Sequence, residues 1–215
     1  MGKGAAYRMV VEGEEDKFAL VQLMGRHIKW SDNKEEAPVW VEVGGSAGEI
    51  LATGYISSKL KESDVSVLGI VLDADEEITG RWKRIGSLCA DIFPIMPDTI
   101  PSEGLILENG DGIRFGVWIM PDNKQSGMLE TFLQHLVPDG SKPILEYARH
   151  TVVEARNKGA TCRESHMDKA HVHTWLAWQD PPGQPFGRAI TKNIFDPNNA
   201  YAAPFISWFR KLYDL

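Results

Sequence analysis

The sequence predicts an α/β fold in which a mostly parallel central sheet is flanked by helices. Three observations indicate this class. In residues 1–91, short apolar segments alternate with segments of helical periodicity, as they do in βαβ units. The most strand-like segment, residues 65–72, is almost continuously apolar, which a parallel strand covered on both faces requires. From residue 126 onward the hydrophobic pattern is helical.

The strands are predicted from apolar runs bounded by polar or turn residues. Five segments have this pattern: 7–11, 38–43, 65–72, 104–108 and 113–119. Gly44 and Gly45 end the second strand. The last two strands are joined by Asn-Gly-Asp-Gly at residues 109–112, which tolerate positive φ, so we expect an inserted β-hairpin.

The remaining elements are predicted as helices from their apolar periodicity. These segments are 18–24, 50–60, 77–91, 126–136, 142–157, 165–179 and 200–213. Ser165 and Asp168 have the spacing of a capping box, which predicts that a helix begins there. We expect an α/β domain over residues 1–140 and a helical C-terminal extension, residues 141–215, packed on the same domain.

Composition excludes several classes of protein. Hydrophobic residues make up 43% of the chain and charged residues 25%, as in globular proteins, so general disorder is excluded. The two cysteines are too few for a disulfide scaffold or a thiolate zinc site. No apolar run approaches the roughly 20 residues that span a bilayer. Charged residues at 12–17 interrupt any signal-peptide core, so we expect a cytoplasmic protein with no membrane partner.

The charge of the chain bears on whether nucleic acid is a partner. A net charge of −7 disfavours phosphate binding. The acidic excess is confined to residues 1–140, whose balance is −10, whereas residues 141–215 carry +3. A bound divalent metal would also reverse the local charge. Nucleic acid therefore stays open as a partner.

Two acidic clusters follow predicted strands. Glu12 and Asp16 come after the first strand, and Asp73 and Asp75 after the third. Carboxyl ends of parallel strands meet at one edge, where such sheets place their ligands. Residues two apart in an extended chain point to the same side, so we expect Asp73 and Asp75 to act together. Mg²⁺ prefers such oxygen ligands. The alternative, that these residues cap helices or are solvated, stays open.

A third acidic residue and a lysine occur on predicted helices. Glu130 lies at the edge of an apolar stripe, and taken alone it is interpreted as a helix-surface acid. Lys169 shares a helix face with Val172 and Leu176. It would either lie along apolar surface or neutralise charge on a transferring phosphoryl group.

Three histidines, His166, His171 and His173, lie close to Lys169 in the sequence. Their spacing is unspecific, and no cysteine ligands or HExxH motif accompany them. We interpret them as solvent-facing or hydrogen-bonded rather than as metal ligands.

The segments VVEGEEDKF (10–18), Gly44-Gly45 and IVLDADEE (70–77) together resemble a Toprim domain. Primases, type IA and type II topoisomerases and OLD-type nucleases share this domain. Later segments resemble an uncharacterised, mainly prokaryotic Toprim-like family of about this length: GVWIMPDN, SGMLETFL, DKAHVHTWLAWQ and PGQPFGRAI. The resemblance covers nearly the whole chain and implies a Toprim/Rossmann-like fold.

The resemblance also implies roles for individual residues. Glu12, Asp73 and Asp75 match the glutamate and the Asp-x-Asp that bind magnesium in Toprim domains, and Mn²⁺ is expected to substitute. Asp16 matches an acid that would hold a second ion together with Asp75. Glu130 resembles the acid of the Leu-Glu motif after the fourth strand of OLD-type enzymes.

Further residues complete the predicted site. Lys169 resembles a lysine that OLD-type enzymes place late in the domain. The resemblance therefore implies that Glu12 and Lys169 are the catalytic residues. Asp122 and Asn123, at the end of another strand, are expected to support the metal ligands or to replace one of them.

These observations lead to three hypotheses of function. The first is a magnesium-dependent nuclease (a hydrolase of phosphodiester bonds) that acts on DNA or RNA. The second is a non-catalytic Toprim-like module that binds metal or nucleic acid, or regulates a partner protein such as an ATPase. OLD-type enzymes carry an attached ATPase, whereas these 215 residues contain no G-x-x-x-x-G-K-[ST] motif. The third, a phosphatase with an aspartate nucleophile, leaves Glu12 without a role. Whether cleavage is endonucleolytic or exonucleolytic stays open, as does the oligomeric state.

Overall fold

The computed structural model describes residues 6–215 and confirms the predicted α/β class. Residues 1–5, which begin the predicted first domain, lie outside the described part. One sheet contains five strands in the order β2-β1-β3-β5-β4. Their bounds are β1 Tyr7–Val11, β2 Trp40–Val43, β3 Val67–Asp73, β4 Leu105–Glu108 and β5 Arg114–Met120. The first four in spatial order are parallel, and β4 is antiparallel to β5.

The register of the sheet brings several strand ends to one edge. Val11 of β1 pairs with Val43 of β2, and Asp73 of β3 pairs with Met120 of β5. The residues after β1, β2 and β5, like the last residue of β3, therefore lie at the carboxyl edge. The predicted hairpin forms, and both of its arms belong to the central sheet.

Nine helices lie within the described residues, with these bounds: α1 Glu14–Gly25, α2 Ala47–Ile50, α3 Tyr55–Leu60, α4 Ile78–Cys89, α5 Leu129–His135, α6 Lys142–Asn157, α7 Met167–Ala177, α8 Phe186–Thr191 and α9 Ala203–Tyr213. The prediction of a single helix over residues 50–60 is wrong, because two short helices, α2 and α3, occupy this region. Gly54 adopts a left-handed conformation with φ of +90° and separates α2 from α3. Helix α8 was not predicted, because the Pro/Gly-rich residues before it hide its short apolar pattern.

The predicted capping box at residue 165 is also wrong. The segment Glu164–His166 forms a 3₁₀ turn, and α7 begins at Met167 with no side-chain cap. The Asp168 carboxylate instead accepts hydrogen bonds from Thr131 and Gln134 on α5. Asp168 therefore joins two helices rather than starting one.

Helices cover both faces of the sheet, which explains why β3 is apolar on both sides. One hydrophobic cluster combines the sheet with residues of α2, α3 and α4. The other combines it with α1 and the helices from α5 to α9. A Cβ atom at Gly69 or Gly116 would lie within 2.5 Å of Tyr213 or Leu212, so only glycine lets α9 pack this closely on β3 and β5. Within residues 6–215, no helix is long and apolar enough to cross a bilayer.

Candidate metal centre

Glu12 follows β1 and is held by two backbone amides from other elements. Its Oε1 accepts the N–H of Asp73 at 2.8 Å, and its Oε2 accepts the N–H of Ala47, the first residue of α2, at 2.9 Å. Burial raises the pKa of Glu12, although both hydrogen bonds and the Arg81 guanidinium oppose this shift. The carboxylate is therefore fixed between the carboxyl ends of β1 and β3, as the sequence predicted.

Asp73 is the last residue of β3, and it faces other carboxylates. Its Oδ1 accepts the N–H of Leu129, the first residue of α5, at 2.9 Å. Burial, together with the negative charges of Asp16, Glu12 and Glu130, raises the pKa of Asp73 to about 9. This carboxyl lies where an additional negative charge is strongly disfavoured.

Asp16, in the first turn of α1, experiences the same field. Burial and the charges of Glu130 and Glu12 raise its pKa to about 6. The charges of four predicted carboxylates thus act on one another, and we name these residues the acidic cluster: Glu12 in the turn after β1, Asp16 in α1, Asp73 in β3 and Glu130 in α5. Among the described contacts, no lysine or arginine pairs with Asp16 or Asp73.

Glu130 is buried, with 5% of its surface exposed, contrary to the interpretation of it as a surface acid. Its Oε1 lies 3.3 Å from Nζ of Lys169, which also lies 4.0 Å from Oε2 of Glu15. Burial opposes the charge of Lys169, but the charges of Glu130, Glu15 and Asp16 outweigh it and raise the lysine pKa. Lys169 therefore stays protonated at the border of the acidic cluster.

Asp75 does not lie beside Asp73 on one side of an extended chain, contrary to the prediction from its spacing, although its charge contributes to the raised pKa of Glu12. The extended chain ends at Asp73, and Asp75 has φ of +53°, with a backbone bridge to Gly127. Its exposed carboxylate pairs with the guanidinium of Arg81. Residues two apart point to the same side only while the backbone is extended, so the expectation does not hold for Asp75. The expected second ion between Asp16 and Asp75 has no support in this arrangement.

Asp122 and Asn123 shape the turn after β5. Asp122 accepts the backbone N–H groups of residues 124 and 125 and the hydroxyl of Tyr201, while the buried Asn123 accepts the N–H of Ile119. Within the described residues, none of their recorded contacts reaches the acidic cluster. The expectation that they support or replace metal ligands stays a prediction, which these contacts do not strengthen.

Two residues beside Lys169 were not predicted as metal ligands: Glu15 was not singled out in the sequence, and His173 was interpreted as solvent-facing or hydrogen-bonded. Glu15 and His173 each place one ligand atom near a carboxylate oxygen of Glu130, and all three atoms lie within 4.8 Å of one another. Of the other histidines near Lys169, His171 is largely buried, which lowers its pKa, and His166 is exposed. The spacing of residues 169 and 173, four apart on α7, was a signal that both share one face.

A cleft of about 1000 Å³ opens beside the acidic cluster. Its walls come from the β3–α4 loop, the segment 126–128 and residues 164–168, which adjoin Asp73, Leu129 and Lys169. Five carboxylates line it, and they outnumber the basic side chains there: Asp75, Glu76, Glu77, Glu164 and Asp168. Because its lining is acidic, the cleft favours a cation or a metal-bound ligand over a free anion.

The donor atoms of the acidic cluster are of the chemical type that a hard divalent cation prefers, although within the described residues the ligand atoms that lie within 4.8 Å of one another belong to Glu15, Glu130 and His173. All four side chains offer carboxylate oxygens, which are the ligands that Mg²⁺ prefers. The raised pKa values of Asp16 and Asp73 arise partly from repulsion between like charges, and a cation placed among them would remove this repulsion. The same carboxylates would then stay ionised at neutral pH.

One family model matches residues 6–214, and its description is "Protein of unknown function (DUF3226)". No curated protein and no solved structure matches the chain.

Proposed function

We propose that this chain, which belongs to the DUF3226 family, is a magnesium-dependent nuclease that hydrolyses phosphodiester bonds in DNA or RNA. The observation that carries the proposal is the convergence of the acidic cluster at the carboxyl edge of the sheet. Burial raises the pKa values of three of its members, Glu12, Asp16 and Asp73, and for Asp16 and Asp73 the charges of the other carboxylates in the cluster raise the pKa further. Perturbed groups of this kind concentrate at functional sites.

A relation to Toprim domains is part of this proposal. Toprim domains place a glutamate after the first strand and an aspartate after the third. In this chain β1 and β3 are neighbouring parallel strands, and Glu12 accepts the backbone N–H of Asp73. The position of Asp75 outside the acidic cluster departs from the Asp-x-Asp pattern. Asp73 is therefore the stronger candidate ligand of the two.

Each member of the site has a separate task in the proposed reaction. Bound magnesium would supply Lewis-acid activation of the phosphate and a more acidic water. Asp73, Asp16 and Glu130 would hold the ion. Glu12 would complete the ligand set in an orientation that the amides of Asp73 and Ala47 already fix. Lys169 would donate hydrogen bonds to the phosphoryl oxygens as negative charge develops there.

The proposal is tested with a cleavage assay on supercoiled DNA and on RNA, with Mg²⁺, with Mn²⁺ and with a chelator. Asp73→Asn keeps an oxygen acceptor for the Leu129 N–H but removes the charge. Loss of a metal ligand is expected to slow cleavage on the order of 100-fold or more, since such an ion supplies several kcal/mol. Asp111→Asn is the matched control, because Asp111 is exposed in the turn before β5, at the opposite edge. Equal activity of Asp73→Asn and the wild type would exclude the proposed mechanism.

One observation favours the second candidate, a non-catalytic metal-binding or regulatory module. The acidic lining of the cleft beside the acidic cluster would repel a nucleic acid backbone. Under this alternative, Mg²⁺ raises the unfolding temperature of the wild type but not of Asp73→Asn, and neither protein cleaves DNA or RNA. Hydrolysis of a phosphomonoester alone would instead support the phosphatase hypothesis.

A further inference from the structure

We propose a second cation site, formed by Glu15, Glu130 and His173, that binds a first-row transition metal such as Mn²⁺ in preference to Mg²⁺. We name it the His173 site. The inference rests on the proposed function in one respect: Glu130 belongs to the His173 site and to the acidic cluster, and its carboxylate would bridge an ion in each. The His173 site takes the place of the second-ion site expected between Asp16 and Asp75, because the Asp75 carboxylate pairs with Arg81.

The spacing of the ligand atoms is close to that of a formed metal site. One ligand atom from each of the three residues lies within 4.8 Å of the other two. Ligands bound at about 2.1 Å to a shared ion lie about 3 to 4 Å from one another. Glu130 is buried, whereas Glu15 and His173 are exposed. Small rotations of these two side chains would complete the site.

Three helices and a packed aromatic ring build the scaffold. Glu15 and Glu130 lie in the first turns of α1 and α5, and His173 lies on α7. The imidazole packs on the buried ring of Phe186 in α8, with a centroid distance of 5.1 Å. Helix α8 in turn lies so close to α1 that a Cβ at Gly187 would come 2.9 Å from the Phe18 carbonyl oxygen. The same helix therefore supports both exposed ligands.

Lys169 is the resident counter-ion of this site. Its Nζ lies 3.3 Å from Glu130 and 4.0 Å from Glu15, on the same face of α7 as His173. A divalent ion bound by the two glutamates would repel this ammonium. Lys169 is half exposed on a flexible stem, so it would move away from the bound ion and toward the phosphate of a metal-bound substrate. Metal binding at the His173 site would thus release the lysine for its catalytic task.

The donor set determines which metal is preferred. Imidazole nitrogen is a good ligand for first-row transition metals, whereas Mg²⁺ prefers oxygen and retains its waters. The acidic cluster offers only oxygen, while the His173 site combines two carboxylates with one nitrogen. The two sites are therefore expected to select different metals.

The direct test is pulsed electron paramagnetic resonance of Mn²⁺ bound to the untagged protein. The wild type is expected to show ¹⁴N coupling from a directly bound imidazole. His173→Gln is expected to lose this coupling and to weaken Mn²⁺ binding by roughly 10- to 100-fold, as the loss of a supporting residue does in other metal sites. His166→Gln is the matched control, because His166 is exposed on the turn before α7 and is not among the three ligands. It is expected to retain both properties.

Two further variants keep the inference falsifiable. Glu15→Gln should weaken Mn²⁺ binding without removing the ¹⁴N coupling at saturating metal. Lys169→Met should tighten Mn²⁺ binding several-fold, because it removes the competing cation. Metal-free unfolding temperatures would check that each variant folds. Unchanged ¹⁴N coupling in His173→Gln, or weaker Mn²⁺ binding by Lys169→Met, would overturn the inference.

These results are separable from the test of the proposed function. If Asp73→Asn abolishes cleavage while His173→Gln leaves the Mn²⁺ signal unchanged, the nuclease proposal stands and the His173 site fails. If the signal depends on His173 but no nucleic acid is cleaved, the site stands and the nuclease proposal fails.

Discussion

Charged side chains near the two ends of the central strands are arranged in opposite ways. Close to the amino ends, Arg8 donates hydrogen bonds to Glu42, Glu62 and Asp64, and Lys59 bonds to Glu42 as well. We name this group the Arg8 network. At the carboxyl ends, the acidic cluster has four carboxylates and, at its border, one lysine.

The pKa shifts of the two regions run in opposite directions. In the Arg8 network, burial would raise the pKa of Glu42, but hydrogen bonds and charges from Lys59 and Arg8 lower it overall. In the acidic cluster, burial and neighbouring carboxylates both raise the pKa of Asp73. In the Arg8 network, acidic and basic side chains therefore neutralise one another, as charges that stabilise a fold do. At the opposite edge the sheet leaves carboxylates in need of a cation, as binding sites do.

The largest expected effect comes from breaking the Arg8 network. Arg8→Met removes a buried guanidinium that pairs with Glu42, Glu62 and Asp64, and it leaves only Lys59 to pair with Glu42 and Glu62 among the described contacts. Breaking a buried pair costs about 3 to 5 kcal/mol, so the unfolding temperature should fall by about 6–20 °C in a chain of this size. Thermal unfolding in the presence of a chelator measures it. Lys142→Met, in an exposed pair with Asp139, is the control and should have little effect. If both variants lose equal stability, the network has no special role.

The acidic cluster should respond in the opposite direction. Asp73→Asn removes a carboxyl group that must take up a proton when the metal-free protein folds near neutral pH, and it retains the acceptor of the Leu129 N–H. We expect the metal-free variant to be more stable than the wild type by about 1–2 kcal/mol, or about 2–8 °C. Differential scanning calorimetry with a chelator measures this. Addition of Mg²⁺ should reduce the difference or reverse it. A destabilised metal-free variant would show that the Asp73 charge supports the fold.

The sequence predicted the positions of some residues at the carboxyl edge of the sheet but not of others. Strand patterns and the rule for parallel strands placed Glu12 and Asp73 at one edge, because both depend on local periodicity. Asp75 was misplaced, since its left-handed backbone conformation has no signal in an Asp-Ala-Asp segment. The sequence could not predict that His173 lies near Glu130, because the distance between them depends on how α7 packs against α5. That packing includes α8, which no sequence pattern indicated.

The pH dependence of stability separates the two regions further. The pKa of Asp73 is raised to about 9, so between about pH 4 and 9 the folded metal-free protein binds a proton that the unfolded chain releases. Stability must therefore fall as pH rises through this window. Glu42, whose pKa is lowered, stays ionised above pH 5 in both states and contributes no slope there. The stability advantage of Asp73→Asn should accordingly be larger at pH 8 than at pH 5. The same advantage at both values would contradict the raised pKa.

The smallest expected effect concerns Asp75, the predicted ligand that lies outside the acidic cluster. Asp75→Asn breaks an exposed ion pair with Arg81 and should change stability by less than about 1 kcal/mol. Because the carboxylate is turned toward Arg81, we also expect this variant to retain more cleavage and more Mg²⁺ affinity than Asp73→Asn. Titration of Mg²⁺ followed by thermal shift compares the two variants directly. An equal loss of affinity would mean that Asp75 leaves Arg81 when metal binds. The Asp-x-Asp pair would then act as the sequence predicted, with Arg81 acting as its metal-free counter-ion.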